Sequence, residues 1–474
     1  MRTKLQILSE DERAQIHERT LKVLAETGVR VDTTRGRKIL KRTGAEVDSK
    51  NTVRFPRALV EELLRLAPRE FTLGSRRPGW ELRLGGGGCT LCADGTAPFV
   101  LDWESGERRS GTFNDWLTAT RLSDALDEIG VYWCMVESSD RDDTIASLID
   151  YWRDTFGNFS KHVQDSISTP EEAPWLLEVL QTVFGDQETI KKHHPFSFLL
   201  CPQSPLIIEE THTDAYLALT GWDIPVAVMP MPLMGATAPG SLISTILLGN
   251  CEVLATLCLI QAAAPGTPMI YAPALTIMNL HTGQYGAGGI ENSLLGAATT
   301  EMARYYGLPA EASGFGTEHY VPSSQASFER ALNALLPILS WPDILVGPGL
   351  LGGSTILSFE QLLFDVEVFR RGNQARRGIV SDRGKWLEDV IEQVKPGGNF
   401  LLEPSTVDAI HEGEWYVSQL GNHDSYEAWT AAGRPTLIEE IRAKVEQMIH
   451  THLPLPLGED VERELNSIKK RAAK

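Results

Sequence analysis

The chain reads as an α/β protein built on a (β/α)8 barrel, with a helical and β extension before it and helices after it. Three observations predict this. A repeated grammar runs from Gly221 to Gly316: a short apolar run, a loop rich in Gly, Pro, Met and Thr, then a long helical run. Ile224–Gly240 leads into 241–264, Thr267–Asn279 leads into Glu291–Tyr306, and Ala310–Phe315 opens the next unit. Eight strand-like runs alternate with helical segments: Val131–Val136, Phe159–Val163, Phe196–Cys201, Pro225–Met229, Pro268–Ala272, Ala310–Phe315, Ile344–Val346 and Asn399–Leu402. Finally, 474 residues with 42% hydrophobic content suffice for a barrel of roughly 250 to 300 residues plus additions. An open, doubly wound sheet is the alternative that this strand count leaves.

The elements follow in order. Residues 8–27 predict a helix, opened by the capping box Ser9-Glu-Asp-Glu12 and closed at Gly28. Further helices are expected over 34–43 and 57–67, stopped by Gly44 and Pro68. From Phe71 to Ser110 the period becomes two, with strands at 71–73, 80–84 and 98–102 and a hairpin turn at Ser105-Gly106. Residues 1–110 are therefore expected to cover the barrel, 111–405 to form it, and 406–474 to add helices. Ser358-Phe-Glu-Gln361 caps a helix expected to end before Gly372, and Leu453-Pro-Leu-Pro-Leu457 breaks the last helix before a charged tail.

Composition excludes some functions. A net charge of −19 argues against nucleic acid, whose partners carry a basic face. The cysteines, Cys89, Cys92, Cys134, Cys201, Cys251 and Cys258, are irregularly spaced, as expected in a reducing compartment. The N-terminus starts directly into polar helix, and the apolar run 241–264 is interrupted by Asn250 and Glu252, so it reads as a buried helix. The expectation is a cytoplasmic protein with no membrane partner; composition leaves a homo-oligomer open.

Candidate chemistry concentrates at strand ends. Gly85-Gly-Gly-Gly-Cys-Thr-Leu-Cys92 offers half a zinc site that no second pair completes, so a β-turn and no bound metal are expected. Lys161-His162 lies at the end of a predicted strand, which makes His162 a site candidate; His193-His194 reads as a solvated loop. Glu252 is expected in a salt bridge outside the barrel. Glu291 opens its helix, where a carboxylate favours the positive dipole end, and it faces the strand-end surface. Gly314-Phe-Gly-Thr-Glu-His-Tyr320 places an acid, an imidazole and two aromatics beyond a predicted strand. Gly347-Pro-Gly-Leu-Leu-Gly-Gly-Ser354 is the next such loop, and its glycines let backbone approach a ligand.

The wording of the chain resembles the trimethylamine methyltransferase family. The matching phrases are Ile7-Leu-Ser-Glu-Asp-Glu, Leu24-Ala-Glu-Thr-Gly-Val-Arg-Val31, Trp103-Glu-Ser-Gly-Glu-Arg-Arg109, Pro232-Leu-Met-Gly-Ala-Thr-Ala-Pro239, Pro265-Gly-Thr-Pro268, Arg304-Tyr-Tyr-Gly-Leu-Pro309 and Phe359-Glu-Gln-Leu-Leu-Phe-Asp365. The resemblance implies a TIM barrel and transfer of a methyl group from an amine to the cobalt of a corrinoid (cobalamin) carried by a partner protein. Family members active on trimethylamine carry pyrrolysine within the stretch that here is Thr317 to Val321, where this chain has ordinary residues. A quaternary ammonium carries its own positive charge and leaves as a neutral amine, so it needs binding and alignment rather than an acid. The resemblance thus implies a small quaternary, or else tertiary, methylamine substrate. Glu318, His319 and Tyr320 are the expected catalytic residues, with Phe315, Tyr271, Glu291, His162 and Ser354 binding substrate. His319 is the local partner for any substrate carboxylate, with no Arg beside it, so choline-like substrates stand beside betaines. A second departure is Pro404-Ser405, where the family tends to have His-Thr, which implies a changed pocket floor. The competing reading is another barrel enzyme, or a binding protein, for a small cation without a corrinoid.

Overall fold

The computed structural model describes residues 4–473. Its centre is a barrel of parallel strands: β1 Thr90–Ala93, β2 Ile129–Tyr132, β3 His162–Asp165, β4 Phe196–Leu200, β5 Val226–Val228, β6 Met269–Tyr271, β7 Glu311–Ser313 and β8 Ile344–Val346. Hydrogen-bonded neighbours run β6-β5-β4-β3-β2-β1-β8-β7. A parallel bridge between Tyr271 and Ala310 joins the two ends, with the Tyr271 N–H donating to Pro309 O at 2.9 Å. The ring is closed, which rules out the open sheet. Each strand leads into a shell helix: α1 Phe113–Ala125, α2 Ile145–Asn158, α3 Ala173–Phe184, α4 Thr211–Ala218, α5 Leu242–Ala263, α6 Ile290–Tyr306, α7 Ser324–Ser340 and α8 Phe359–Arg377; a short second helix, Gln187–His193, lies between α3 and β4.

Two strand expectations need correction. Thr90–Ala93, read as a turn in the covering layer, is β1 and pairs with β8 and β2. The slot expected for Asn399–Leu402 is thereby filled. That segment is a turn on the surface, with Leu401 79% and Leu402 93% exposed. A parallel barrel strand needs a neighbour on both edges, and none was left for it.

Side chains alternate along each strand. Cys92, Val131, Leu199, Ala227, Ile270 and Ile344 point inward and pack with Leu73 and Leu84. Leu91, Tyr132, Val163, Phe198, Val226 and Leu345 point outward into the shell of helices. Leu73 and Leu84 belong to an antiparallel hairpin, Phe71–Leu73 with Leu82–Leu84, that plugs the N-terminal end of the barrel.

The N-terminal layer explains the apolar helix. Glu10–Glu26, with the expected capping box between Ser9 and Glu12, packs on α5 together with Thr34–Arg42 and Arg57–Leu64. Helix α5 is long and apolar enough to cross a membrane, yet 78% of its apolar window is buried inside the protein. Covered on both sides, it has no solvent face to make polar. Asn250 in its middle donates to Thr20 Oγ1 (2.7 Å) and Tyr306 OH (2.8 Å). Glu252 does not form the expected salt bridge. Its carboxylate accepts from Ser204 Oγ and the Leu206 N–H, both at 2.8 Å, and so holds the loop after β4.

At the other end, α8 runs past Gly372 rather than stopping there. A Cβ at Gly372 would lie 2.6 Å from Ile338 Cδ1 on α7, so glycine serves close helix packing. The charged tail is a helix, Glu459–Ala472, which buries Leu465 and Ile468 against α2 and α3. Leu437–Thr451 packs on α1 and α8.

Candidate active site

Loops at the C-terminal ends of the strands form the mouth. The β7α7 loop (314–323) and the β8α8 loop (347–358) are tied together: the Gly352 N–H donates to His319 O at 2.8 Å and the Gly353 N–H to Thr317 O at 3.0 Å. The β7α7 loop is also tied to its own helix. Glu329 of α7 accepts from Thr317 Oγ1 (2.5 Å) and from the Glu318 N–H (3.1 Å).

Five expected residues meet here. Glu318 is half-buried, and Asn279 of the β6α6 loop donates to its carboxylate. His319 Nδ1 lies 3.1 Å from Ser323 Oγ, the cap of α7, so one face of its ring serves the helix start. Tyr320 is 63% exposed and lies against Gly352, where a Cβ would come within 2.6 Å of its ring. Ser354 sits at positive φ (63°) on the glycine turn, and Glu291 opens α6 on the same side.

Three do not. Tyr271 faces outward, and its OH donates to Asn250 Oδ1 at 2.8 Å; its neighbours Ile270 and Ala272 face the interior. Phe315 is fully buried in the helical shell, with the Arg330 guanidinium 5.8 Å from its ring centre. His162 begins β3 instead of ending a strand. Its ring lies at the plugged end, 2.9 Å from Gly74 O and 2.8 Å from Ser197 Oγ. Burial pushes it down to about 4, so it is neutral. His194, read as solvated, contacts Thr72 O (3.1 Å) and Asp223 (3.3 Å).

The barrel interior holds polar groups that were not anticipated. Glu311, first residue of β7, is 1% exposed and accepts from Gln164 Nε2 of β3 at 3.1 Å. Among the described residues its second oxygen, Glu311 Oε1, has no hydrogen-bond partner, and neither has Gln164 Oε1. Asp94, just beyond β1, accepts the Gly347 N–H at 2.8 Å. Burial raises Glu311 to about 8 and Asp94 to about 7. Trp133, Cys201 and Ala274 pack against the interior cluster at the mouth end, where Tyr285 overhangs the glycine turn near Gly353. Strand parity was the signal: an acid inside an apolar strand faces either the well or the shell.

A cleft of about 500 Å³ opens at the opposite end, between Lys4, Arg69, Arg304 and Asp343. Its polar groups serve the fold. Asp343 accepts from the Gly85 N–H (2.6 Å) and the Ala310 N–H (2.9 Å), and Arg304 donates to Ser340 O (2.6 Å).

The buried acids set a pH dependence. Asp94, Asp165 and Glu252 are raised to about 7 and Glu311 to about 8, in each case chiefly by burial. The folded chain therefore holds protons that the unfolded chain has released. Stability is expected to fall as the pH rises from about 6.5 to about 8, by about 1.4 kcal/mol per pH unit for each proton so held. Buried neutral His162 acts in the opposite sense, but only below its ordinary value near 6.5. Thermal unfolding across this window checks the sign; a rise in melting temperature would contradict it.

The whole chain, residues 1–474, matches the family described as trimethylamine methyltransferase (MTTB). This chain belongs to the trimethylamine methyltransferase family. It is, like its relatives, a methyltransferase. It is 29% identical to trimethylamine methyltransferase MttB of Desulfitobacterium hafniense (strain DSM 10664 / DCB-2), over 97% of this chain and 92% of that protein. It is 29% identical to MttB of Methanosarcina barkeri (strain Fusaro / DSM 804), over 99% and 96%. It is 28% identical to glycine betaine methyltransferase of Desulfitobacterium hafniense (strain Y51), over 98% and 96%. Among solved structures, the hydroxylamine complex of MtmB is similar in fold, with a TM-score of 0.50 and 11% identity over 98% of this chain and 92% of that one.

Within the trimethylamine methyltransferase family, the stretch expected to carry pyrrolysine is here the mouth rim itself, Thr317 to Val321. The second departure has no bearing on the well. Pro404 and Ser405 begin a surface helix, Pro404–His411, with no buried residue, so the pocket floor is not built from them.

Proposed function

We propose that the chain moves a methyl group from a small quaternary ammonium compound to the cobalt of a corrinoid carried by a separate protein. One observation carries the choice of substrate. The rim at Thr317–Val321 holds ordinary side chains, and the well beneath it holds Glu311 and Asp94, with no Lys or Arg hydrogen-bonded to either among the described residues. A permanently charged nitrogen would supply the counter-charge these buried acids lack, and it needs no activating group at the rim. Relatives bearing the names of a tertiary and of a quaternary amine enzyme are 29% and 28% identical, so overall similarity does not choose between them.

The rim also suits a carrier. Met231, Leu280 and Tyr320, from three successive loops, are 53%, 90% and 63% exposed, and Phe328 on the first half of α7 is 58% exposed. Apolar side chains around a mouth make a docking surface. The glycine turn at 347–353 leaves bare backbone beside them. The cobalt would supply the methyl acceptor. The chain would hold the ammonium, align one methyl group with the mouth and keep water out. His319 turns Nδ1 to Val321 O and Ser323 Oγ, which leaves Nε2 as the ring atom available to a substrate.

The test is incubation with cob(I)alamin and choline, carnitine, glycine betaine or trimethylamine. At least one quaternary compound is expected to yield methylated cobalt, and trimethylamine none. Turnover of trimethylamine alone, or silence across the panel, would overturn the reading. A rise in melting temperature with a quaternary compound but no cobalt methylation would favour a cation-binding protein.

A further inference from the structure

We propose that Glu311, steadied by Gln164, is the group in the well that receives the ammonium centre, and that it exchanges its proton for that cation. This rests on the reading above for the nature of the ligand. It goes beyond it in assigning the residue and the proton balance.

The geometry is specific. Glu311 and Gln164 come from β7 and β3, on different sides of the barrel, and meet at 3.1 Å inside it. Their exposures are 1% and 0%, yet Glu311 Oε1 and Gln164 Oε1 have no partner among the described residues. Buried oxygens without partners are costly, and two in one place need a ligand or water to satisfy them. Both are acceptor-rich, so they suit a cation's polarised methyl groups rather than an anion. Inward positions towards the mouth are small, with Ala272 and Ala274 on the β6 side and Ser313 on β7, and Trp133 adds an aromatic wall.

The charged and titratable groups around Glu311 are few. Asp94 and Cys92 face it from the β1 side and Cys201 from the end of β4. Arg330 acts on Asp94 from α7 but gives its hydrogen bonds to Asp365, Gly347 and Leu350. A carboxylate at Glu311 therefore lacks a resident counter-charge, and burial keeps the proton on it up to about 8 in the empty protein. A quaternary nitrogen supplies the missing charge. The O–H bond of Glu311 breaks, the proton passes to solvent, and a carboxylate–ammonium pair remains. Charge balances: one cation enters and one proton leaves.

Tetramethylammonium is the probe, titrated calorimetrically into the full chain, without corrinoid, in two buffers of different ionisation enthalpy. At about pH 7 close to one proton should be released per cation bound, falling towards zero above about pH 9, and affinity should rise by up to about tenfold per pH unit below Glu311's ionisation. The neutral isostere 3,3-dimethylbutan-1-ol should not compete with choline. Glu311→Gln, nearly the same shape, should abolish the release and weaken binding at about pH 9 by about tenfold or more. Unchanged melting temperature in that variant keeps a folding defect apart from a binding one, and the release itself is read on the unaltered protein. Release that survives in Glu311→Gln moves the proton to Asp94 and overturns the assignment. Absence of binding beside active methyl transfer from a quaternary substrate overturns this inference alone. Binding with release but no transfer to cobalt overturns the proposed reaction and leaves the cation site standing.

Discussion

Replacing Arg330 by methionine is expected to cost about 3–5 kcal/mol of stability, because it strands a buried carboxylate. Arg330 and Asp365 are 1% and 0% exposed and join α7 to α8. The Arg330 Nε donates to both Asp365 oxygens at 2.9 Å, and Nη2 donates to Gly347 O at 2.8 Å. Asp365 in turn accepts the Gly349 N–H at 2.8 Å and Gln361 Nε2 at 2.9 Å. One ion pair thus pins both helices and the loop between β8 and α8. The double change Arg330→Met with Asp365→Leu removes the stranded charge, so it should recover part of the loss. It cannot recover all of it, since Gly349 and Gln361 then lose their acceptor. Denaturant unfolding of the two variants decides the matter. A single variant within about 1 kcal/mol of the unaltered chain would show that the pair contributes little.

The second large effect is expected from Gly347→Ala. Gly347 has φ = 105°, a left-handed conformation, and an added Cβ would lie 2.5 Å from the backbone oxygen of Gly314. Gly314 directly follows β7 and is held by its N–H, which donates to Val346 O at 3.0 Å, so this backbone cannot easily swing away. The conformational strain costs about 1–3 kcal/mol, and the collision adds to it. The loss also has a functional side. Relieving the collision shifts the glycine turn, and the Gly347 N–H that holds Asp94 at 2.8 Å is lost with it. Methyl-transfer activity should therefore fall more steeply than the melting temperature. Gly106→Ala is the comparison: it has φ = 74°, with no atom within 4 Å of the added carbon, on a hairpin outside the barrel strands. It should cost stability and leave transfer intact. Equal effects of the two variants on transfer would rule out a special role for the Gly347 turn.

Much of the architecture was legible from periodicity and capping. Seven of the eight expected strand positions lie on or overlap barrel strands, and Ser9 and Ser358 cap their helices through side-chain bonds as expected. The first strand escaped because Thr90–Ala93 is four residues long, follows four glycines and carries a cysteine at Cys92, features that also mark a turn. Asn399–Leu402 takes its place in a count from sequence because it too is an apolar run, although its surroundings are exposed. The site divided along a physical line. Residues on loops after strands, such as Glu318 and Tyr320, could be placed from sequence order alone. Residues within strands required knowing which face they present, and a shift of one position exchanges the well for the shell. Sequence order therefore points to Tyr271 for the pocket and gives no sign of Glu311, although both lie in segments with clear strand character.

The hairpin under the barrel gives the reaction a sequence of events. With Leu73 and Leu84 packed across the floor, the well faces outward at the mouth. On the proposed reading, whatever takes the methyl group must cover that mouth. The small donor must then enter before the carrier protein arrives, and the demethylated amine stays enclosed until the carrier departs. Such a blind vessel dictates compulsory-order kinetics: excess carrier should inhibit at low donor concentration by stoppering empty wells, and added donor should relieve it.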